Sequence, residues 1–280
     1  MSNAPSQGPV RAPSLLLTLS EGVRMATEMA ALMATWPWLV KQPRGDGHPV
    51  LVLPGFTAGD ASTLIMRRFL RELGYDVLAW DLGNNTGESY LVPRLYKRIN
   101  TIIKTTDAPF SIIGQSLGGV FARELARSFP SHVRSVITLG SPFATRDGEG
   151  TNGLVRRMFE RSINIRPAER VRVGLLPHGS RSPPVPTTAI YSRGDGIVSW
   201  QLCKEAAGPI SENVEVLGSH TGMSLNPLVY WILADRLAQP LGGWEPLDRS
   251  AWRRAWLHLS VAPLRDFPRL GLCHPLRGGA

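Results

Sequence analysis

Short apolar runs alternate with segments of helical spacing through the middle of the chain. Runs such as 110–113 and 133–139 are rich in valine, isoleucine and leucine, and the segment 90–104 repeats leucine or isoleucine every three or four positions. The first pattern favours strands and the second an amphipathic helix. Short apolar runs between helices are typical of parallel strands covered on both faces. The chain therefore predicts an α/β domain with a doubly wound, mostly parallel sheet.

The same pattern predicts the bounds of the individual elements. Strands are predicted at 49–53, 75–80, 110–113, 133–139, 187–191 and 213–217. Helices are predicted near 15–40, 61–73, 90–104, 120–129 and 227–237. Gly74 follows one of these helices directly and suits its C-terminal end, because glycine readily adopts the left-handed conformation found there.

A serine stands at one of the predicted strand-to-helix turns. Ser116 lies between Gly114 and Gly118, with the strand 110–113 before it and the helix 120–129 after it. A sharp turn here strains the backbone and exposes the hydroxyl, and the two glycines let neighbouring backbone approach. A serine between glycines is also an ordinary turn residue, but the flanking elements make Ser116 the candidate nucleophile.

A serine hydroxyl needs a base, and the base needs an acid that orients it. Asp195 lies in a glycine-rich loop after the predicted strand 187–191, and His220 follows the predicted strand 213–217. Each could serve a purely structural purpose alone, Asp195 as a turn former and His220 as a buried, hydrogen-bonded ring. Their order after Ser116, each behind a strand, predicts that the three side chains form one site.

Other acids and histidines compete for these two roles. Asp81 follows the strand at 75–80 and Asp147 follows the strand at 133–139, so both are alternative acids. The remaining histidines lie at the beginnings of strands, in a Pro/Gly-rich loop or in the C-terminal tail, and are weaker candidates. They are His48, His132, His178, His258 and His274.

In these segments the chain resembles the α/β-hydrolase superfamily, and its bacterial lipase and esterase-like members most closely. The resemblance covers about residues 47–237 and is carried by LVLPGF at 51–56, GQSLGG at 114–119, GSPF at 140–143, YSRGDGIV at 191–198 and GSH at 218–220. It implies the α/β-hydrolase fold. It also implies that Ser116 is the nucleophile, Asp195 the orienting acid and His220 the base.

The resemblance further implies an oxyanion hole built from two backbone N–H groups. One belongs to Leu117, directly after the nucleophile, and the other to Phe56, after the first predicted strand. Many members of the superfamily carry His-Gly before the second donor, whereas this chain has Pro54 and Gly55. The shape of the hole is therefore expected to depart from the usual pattern.

The sequence divides into three parts. Residues 1–46 contain a disordered start and an amphipathic N-terminal helix, residues 47–246 form the hydrolase domain, and residues 247–280 form a basic tail with a short amphipathic helix. The arginine-rich segment 144–186 interrupts the alternation of strands and helices. It is predicted to be a cap or lid, because loops of this length are usually functional, and a solvated loop with one helix is the alternative.

Neither end of the chain predicts a membrane span. The uncharged stretch 29–40 is shorter than the roughly 20 apolar residues that cross a bilayer, and Glu21 and Glu28 argue against a signal peptide. The N-terminal helix is expected to pack on the domain, on a membrane surface or on a second subunit. Trp252 and Trp256 in the tail suit an interfacial helix, but packing on the domain is favoured because exposed tryptophan is a liability.

Composition and charge narrow the classes of function. Of the 280 residues, 43% are apolar and 19% charged, as in an ordinary globular domain. The net charge is +9, yet the arginines are dispersed without a basic run or a recognised motif, so nucleic acid is not an expected partner. Cys203 and Cys273 indicate neither a disulfide framework nor a metal site. No phosphate loop or metal-ligand cluster is evident, so we expect neither a cofactor nor a metal.

The sequence thus predicts a serine hydrolase that cleaves a small-molecule ester or a lipid through an acyl-enzyme. An acyltransferase with the same three residues and a non-catalytic interaction protein with a vestigial elbow are the alternatives. A serine at the elbow argues against the epoxide hydrolase and dehalogenase chemistry of this superfamily, which uses a carboxylate. We expect a cytoplasmic location and leave a peripheral membrane contact and the oligomeric state open, because a basic surface can attract anionic lipid.

Overall fold

One sheet of six parallel strands organises the described part of the protein. The computed structural model describes residues 10–88, 90–144, 181–248 and 250–251. Its strands are β1 (Pro49–Leu53), β2 (Asp76–Leu78), β3 (Phe110–Gln115), β4 (Val133–Leu139), β5 (Thr187–Tyr191) and β6 (Ser211–Glu215). They lie side by side in the order β2-β1-β3-β4-β5-β6, and every neighbouring pair is parallel.

Six α-helices accompany the sheet within the described part of the chain. They are α1 (Leu15–Leu19), α2 (Glu21–Leu39), α3 (Leu64–Glu72), α4 (Leu91–Thr105), α5 (Leu117–Ser128) and α6 (Pro227–Leu237). Short 3-10 helices occur at Asp60–Thr63, Trp200–Cys203 and Met223–Leu225.

The two faces of the sheet are covered by different helices. Val50 and Val52 on β1 belong to one core cluster with residues of α2, α3 and α6. Leu51 and Leu53 belong to another, with residues of α4 and α5. Because successive side chains of a strand point to opposite faces, a strand covered on both sides must be apolar throughout. The predicted fold class, a doubly wound parallel sheet, is confirmed.

Most predicted elements are present with small changes in their bounds. The strands β1, β4 and β5 and the helix α6 have the predicted limits. The strand β2 is shorter than the predicted 75–80, and β6 lies two residues before the predicted 213–217. The helix α5 begins at Leu117 rather than at 120, so it starts directly after the candidate nucleophile.

The predicted N-terminal helix is divided into α1 and α2 at Ser20. The Ser20 hydroxyl donates to the carbonyl oxygen of Leu17 at 3.1 Å and accepts from Nε of Arg24 at 3.1 Å. Serine side chains that bond to nearby backbone compete with the helical hydrogen-bond pattern, which explains the break. The leucines of α1 are exposed, as in the 77% exposed Leu16.

The helix α2 packs on the domain, which was one of the three predicted locations. Leu32 and Leu39 are fully buried, and the ring of Trp36 contacts Phe69 of α3 and Tyr230 of α6. Among the helices of the described residues, none combines the length and the apolar character needed to cross a bilayer.

Two predictions fall largely outside the described residues. The predicted lid at 144–186 includes the undescribed residues 145–180, and the predicted helix in the tail lies beyond residue 251. Both stay predictions, as does the division of the chain into three parts.

Candidate active site

The turn between β3 and α5 holds Ser116 in a strained conformation. Its backbone angles are φ 50° and ψ −119°, a region that residues with a side chain rarely occupy. A Cβ added to Gly114 would collide with the carbonyl oxygen of Gly118, and one added to Gly118 would lie 2.5 Å from the carbonyl oxygen of Leu53. The two predicted elbow glycines therefore allow this tight turn, and Ser116 stands partly exposed at its apex.

The structure brings the three predicted site residues into one hydrogen-bonded chain. Nε2 of His220 lies 3.1 Å from Oγ of Ser116, and Nδ1 of His220 lies 2.6 Å from Oδ2 of Asp195. A proton on Nδ1 is shared with the carboxylate, which leaves the lone pair of Nε2 directed at the serine hydroxyl. The loops that carry Asp195 and His220 follow β5 and β6, as predicted.

Backbone donors fix the orientation of the carboxylate. Oδ1 of Asp195 accepts from the N–H groups of Ile197 and Val198, both at 2.8 Å. Oδ2 therefore faces His220, and the side chain of Asp195 is almost completely buried. A buried carboxylate with both oxygens occupied cannot rotate away from the imidazole without losing hydrogen bonds.

The carboxylate alters the proton affinity of the histidine. Burial alone would lower the pKa of His220, but the negative charge of Asp195 and its hydrogen bond raise the pKa above its ordinary value. The charge of Glu21 acts in the same direction. The imidazolium form, which a general base generates when it takes a proton, is thereby stabilised.

Gly140, at the end of β4, lies directly against the histidine and its acid. Its φ is +54°, and a Cβ added there would lie 3.2 Å from Nδ1 of His220 and 3.3 Å from Oδ2 of Asp195. This glycine begins the GSPF motif at 140–143, from which no role was predicted for it. A glycine just after a strand of a parallel sheet was the available signal.

The residues predicted to supply the two oxyanion donors are Leu117 and Phe56. Leu117 is the first residue of α5, where N–H groups have no acceptor within their own helix. Gly55 precedes Phe56, and a Cβ added to Gly55 would lie 3.5 Å from Cβ of Ser116. The loop is fixed by buried Asn85, whose side chain donates to the carbonyl oxygen of Pro54 at 2.9 Å.

The competing candidates lie elsewhere or outside the described residues. The side chain of Asp81 is half exposed and pairs with Arg98 at 2.6 Å rather than with a histidine. His48 is buried before β1 and contacts Asp46 and Ser111. His132 lies before β4 and contacts Ser131. The other candidates, Asp147, His178, His258 and His274, lie outside the described residues.

The helix α2 contributes charged groups that the sequence analysis missed. Glu21, Arg24 and Glu28 share one face of this helix and contact the loops that carry Asp195 and His220. Their helical spacing was visible in the sequence, but nothing in it indicated which part of the fold this face would meet.

The described residues contain no group of three or more histidines, cysteines or carboxylates that could hold a metal ion. Cys203 is buried within this part of the chain, and Cys273 lies outside it. A cavity of about 470 Å³ borders the acid loop, but neither Ser116 nor His220 lines it. We therefore assign no substrate to that cavity.

The fold and the site define an α/β protein with a serine at a strand-to-helix turn and a histidine in contact with it. Residues 48–158 match the family model described as "alpha/beta hydrolase fold". The protein has the α/β-hydrolase fold, and the predicted resemblance to that superfamily is confirmed. The narrower resemblance to bacterial members stays a prediction. No curated protein matches the sequence.

A solved lipase structure shares the fold. Lipase B of Aspergillus fumigatus is 20% identical, with a TM-score of 0.54, over 80% of this chain and 58% of that one. An alpha/beta superfamily hydrolase of Oenococcus oeni is 16% identical, with a TM-score of 0.49, over 65% of this chain and 88% of that one. At 20% identity the likeness to the Aspergillus lipase shows the fold alone. The matched family model supports a hydrolase.

Proposed function

We propose that the protein is a serine hydrolase that cleaves carboxylic esters through an acyl-enzyme on Ser116. The hydrogen-bonded chain from Ser116 through His220 to Asp195 is the observation that carries the proposal. This arrangement activates a hydroxyl that would otherwise be a weak nucleophile. The lipase among the similar structures adds support for an ester substrate.

In the first half-reaction, Nε2 of His220 takes the proton of the Ser116 hydroxyl while Oγ attacks the ester carbonyl carbon. The carbonyl oxygen becomes an oxyanion that accepts from the N–H groups of Leu117 and Phe56. The bond from the carbonyl carbon to the alcohol oxygen then breaks, and His220 gives its proton to the leaving alkoxide. The product is an acyl group on Ser116 and a released alcohol.

In the second half-reaction, water takes the place of the alcohol. His220 removes a proton from the water as its oxygen attacks the acyl carbon, and the same two N–H groups hold the new oxyanion. The bond to Oγ of Ser116 breaks, and His220 returns the proton to the serine. Asp195 keeps the imidazole in its working tautomer throughout, and each oxyanion donor contributes on the order of 3 kcal/mol to transition-state stabilisation.

The proposal is tested with a series of p-nitrophenyl esters from acetate to palmitate. The wild-type protein should release p-nitrophenol, whereas Ser116→Ala and His220→Ala should lose about 10⁴-fold or more in kcat/KM. The matched control is Ser62→Ala, an exposed serine that donates to the nearby carbonyl oxygen of Gly59. Equal rates in wild type and Ser116→Ala would contradict the proposal.

Adding a primary alcohol to the same assay separates hydrolysis from acyl transfer. A serine hydrolase that delivers its acyl group to water releases mainly free acid at low alcohol concentration. Predominant formation of a new ester under these conditions would favour the acyltransferase alternative, with the same residues in the same roles.

A further inference from the structure

Glu21 is a buried carboxylate that the mechanism above does not use. It lies at the beginning of α2, is 6% exposed, and accepts hydrogen bonds at both oxygens. A buried charge is costly unless its partners compensate for lost hydration. The hydrogen-bond partners of Glu21 therefore indicate what this side chain contributes to the site.

Those partners come from the two loops that hold the histidine and its acid. Oε1 of Glu21 accepts from the N–H of Gly196 at 2.9 Å and from the N–H of His220 at 3.0 Å. Oε2 accepts from the N–H of Thr221 at 2.9 Å and from its hydroxyl at 2.8 Å. One side chain thus joins the residue after Asp195 to the backbone of His220 itself.

Neighbouring residues on the same helix face extend this contact. Arg24 donates to Oε1 of Glu21 at 2.9 Å and to the carbonyl oxygen of Gly194 at 2.5 Å. Glu28 accepts from the N–H of Ser219 at 2.6 Å and from its hydroxyl at 3.0 Å. The three charged side chains therefore contact residues on both sides of Asp195 and His220.

The two loops also meet directly, because the hydroxyl of Ser192 donates to the carbonyl oxygen of Gly218 at 2.7 Å and accepts from its N–H at 3.2 Å, but this contact lies two residues before His220. The residues from 216 to 222 follow the end of β6 and adopt no strand or helix before the 3-10 helix at Met223–Leu225. Buried backbone N–H groups need acceptors, and Glu21 supplies them at the catalytic residue itself. A displacement of about 1 Å at a reacting group can cost on the order of 10²-fold in rate.

We propose that Glu21 is a positioning residue of the active site, which fixes His220 relative to Asp195 through the backbone of their two loops. The proposal rests on the proposed roles of Ser116, His220 and Asp195. It extends the functional unit to α2, upstream of the segment that matches the hydrolase family.

The charge of Glu21 affects a measurable quantity other than folding stability, namely the pKa of His220. Burial would raise the pKa of Glu21, but the hydrogen bonds from Thr221, His220 and Gly196 lower the pKa below its ordinary value, so the group is ionised at neutral pH. Among the described residues, the charges that act on His220 are those of Asp195, from the acid loop, and of Glu21, from α2. Arg24 pairs with Glu21, and Glu28 accepts from the N–H of Ser219 next to His220. The Glu21 charge contributes to the raised pKa of His220.

The test compares Glu21→Gln and Glu21→Ala with Glu72→Gln. Glu72 is the matched control because it also holds α2, by accepting from Nε1 of Trp36 at 3.2 Å, but it contacts neither active-site loop. Two quantities are measured in each folded variant. One is the rate at which a fluorophosphonate labels Ser116, and the other is the pKa of His220 from NMR of ¹³C-labelled histidine rings, assigned with His220→Gln.

We expect Glu21→Ala to label on the order of 10²-fold more slowly than wild type. Glu21→Gln keeps one acceptor oxygen and should lose less rate, yet the pKa of His220 should fall because the charge is gone. Glu72→Gln should match wild type in both measurements. With ester substrates, the loss in Glu21→Ala should be in kcat rather than in KM.

A Glu21→Gln variant with an unchanged His220 pKa and an unchanged labelling rate would overturn the proposal. So would equal losses in Glu21→Gln and Glu72→Gln, since these would reflect docking of α2 as a whole. If Glu21→Ala does not fold, Glu21→Gln still decides, because its melting temperature and the His220 titration are measured on the same sample. A wild-type protein that labels at Ser116 but cleaves no ester contradicts the ester function and leaves this test intact.

Discussion

At the scale of single residues, the proposed chemistry depends on whether the His220 ring carries a proton. Only the neutral imidazole can take the proton of Ser116. The nearby charge and hydrogen bond of Asp195 outweigh burial and raise the pKa of His220 above its ordinary value. The protonated, inactive form therefore persists to a higher pH than for a free histidine.

This shift predicts the pH dependence of the reaction. The rate kcat/KM should be low in acid and rise as the pH passes through the His220 pKa, with a midpoint above the ordinary value of 6.5. Asp195→Asn removes the charge and should move the midpoint to lower pH while reducing the rate. A wild-type midpoint clearly below 6.5 would contradict the geometry of this pair.

The close approach of Gly140 to His220 and Asp195 predicts the effect of a side chain at this position. Alanine at its φ of +54° costs roughly 1–2 kcal/mol in unfolding free energy, and the added carbon would press on His220 and Asp195. Gly140→Ala should therefore lower both the melting temperature and kcat. The control is Gly22→Ala in α2, where the added carbon meets nothing within 4 Å and stability should be unchanged or higher. Unimpaired activity in Gly140→Ala would contradict the assigned contact.

The sequence was informative about residues where chemistry follows from local context. Ser116 follows β3 directly, Asp195 and His220 lie in the loops that follow β5 and β6, and parallel strands bring their ends to one edge of the sheet. Glu21 lies 175 residues from Gly196 and 199 from His220, so its contacts depend on how α2 packs on the loops. No local pattern encodes a contact of that kind.

At the scale of elements, the helix α5 makes buried contacts with parts of the chain that are distant in sequence. Arg123 on this helix forms a buried ion pair with Glu205, lies over the ring of Phe143 at 3.6 Å, and donates to the carbonyl oxygen of Arg181 at 2.9 Å. These contacts join α5 to the chain beyond β4 and to the loop before β6. They anchor the helix whose first turn carries the proposed oxyanion donor, the N–H of Leu117.

Removing one partner of this pair should be costly. Arg123→Ala leaves Glu205 as a buried charge without its cation, so we expect a loss of about 3–5 kcal/mol in the free energy of unfolding. Arg68→Ala is the matched control, because its pair with Glu72 is largely exposed and should be worth about 1 kcal/mol or less. Chemical denaturation of the two variants measures both values, and similar losses would contradict the account.

The bounds of the elements show which features hydrophobic patterns could predict and which depend on tertiary contacts. Runs rich in apolar residues identified β1, β4 and β5, because strands covered on both faces are buried at most positions: β1 and β5 at all five residues and β4 at five of seven. The lateral strand β6 is buried mainly at Val214, so its alternation was weak and its position was predicted two residues late. The break at Ser20 depends on side-chain hydrogen bonds, which hydrophobic spacing does not report.

At the scale of the whole molecule, α2 belongs to the same core as the sheet. Leu32 and Leu39 are completely buried in the cluster that includes Val50 and Val52 of β1. The fold class was predictable because the alternation of strands and helices admits few architectures. The packing of α2 on one end of that architecture was not, because its sequence is equally compatible with a membrane surface or a second subunit.

This shared core predicts how substitutions in α2 affect stability. Leu32→Ala should lower the free energy of unfolding by about 2–5 kcal/mol, as a cavity in a packed core does. Leu16→Ala in α1 is the control, because this leucine is 77% exposed and its loss should change stability by about 0.5 kcal/mol or less. Denaturant unfolding compares the two, and a negligible effect of Leu32→Ala would contradict the packing of α2.

The central claim is that Ser116 is a nucleophile activated by His220, and mass spectrometry of the protein treated with a fluorophosphonate tests it most directly. We predict one adduct per chain, located at Ser116 by peptide mapping, absent in Ser116→Ala and formed far more slowly in His220→Gln. A folded wild-type protein that forms no adduct, or one modified at another residue, would contradict the account.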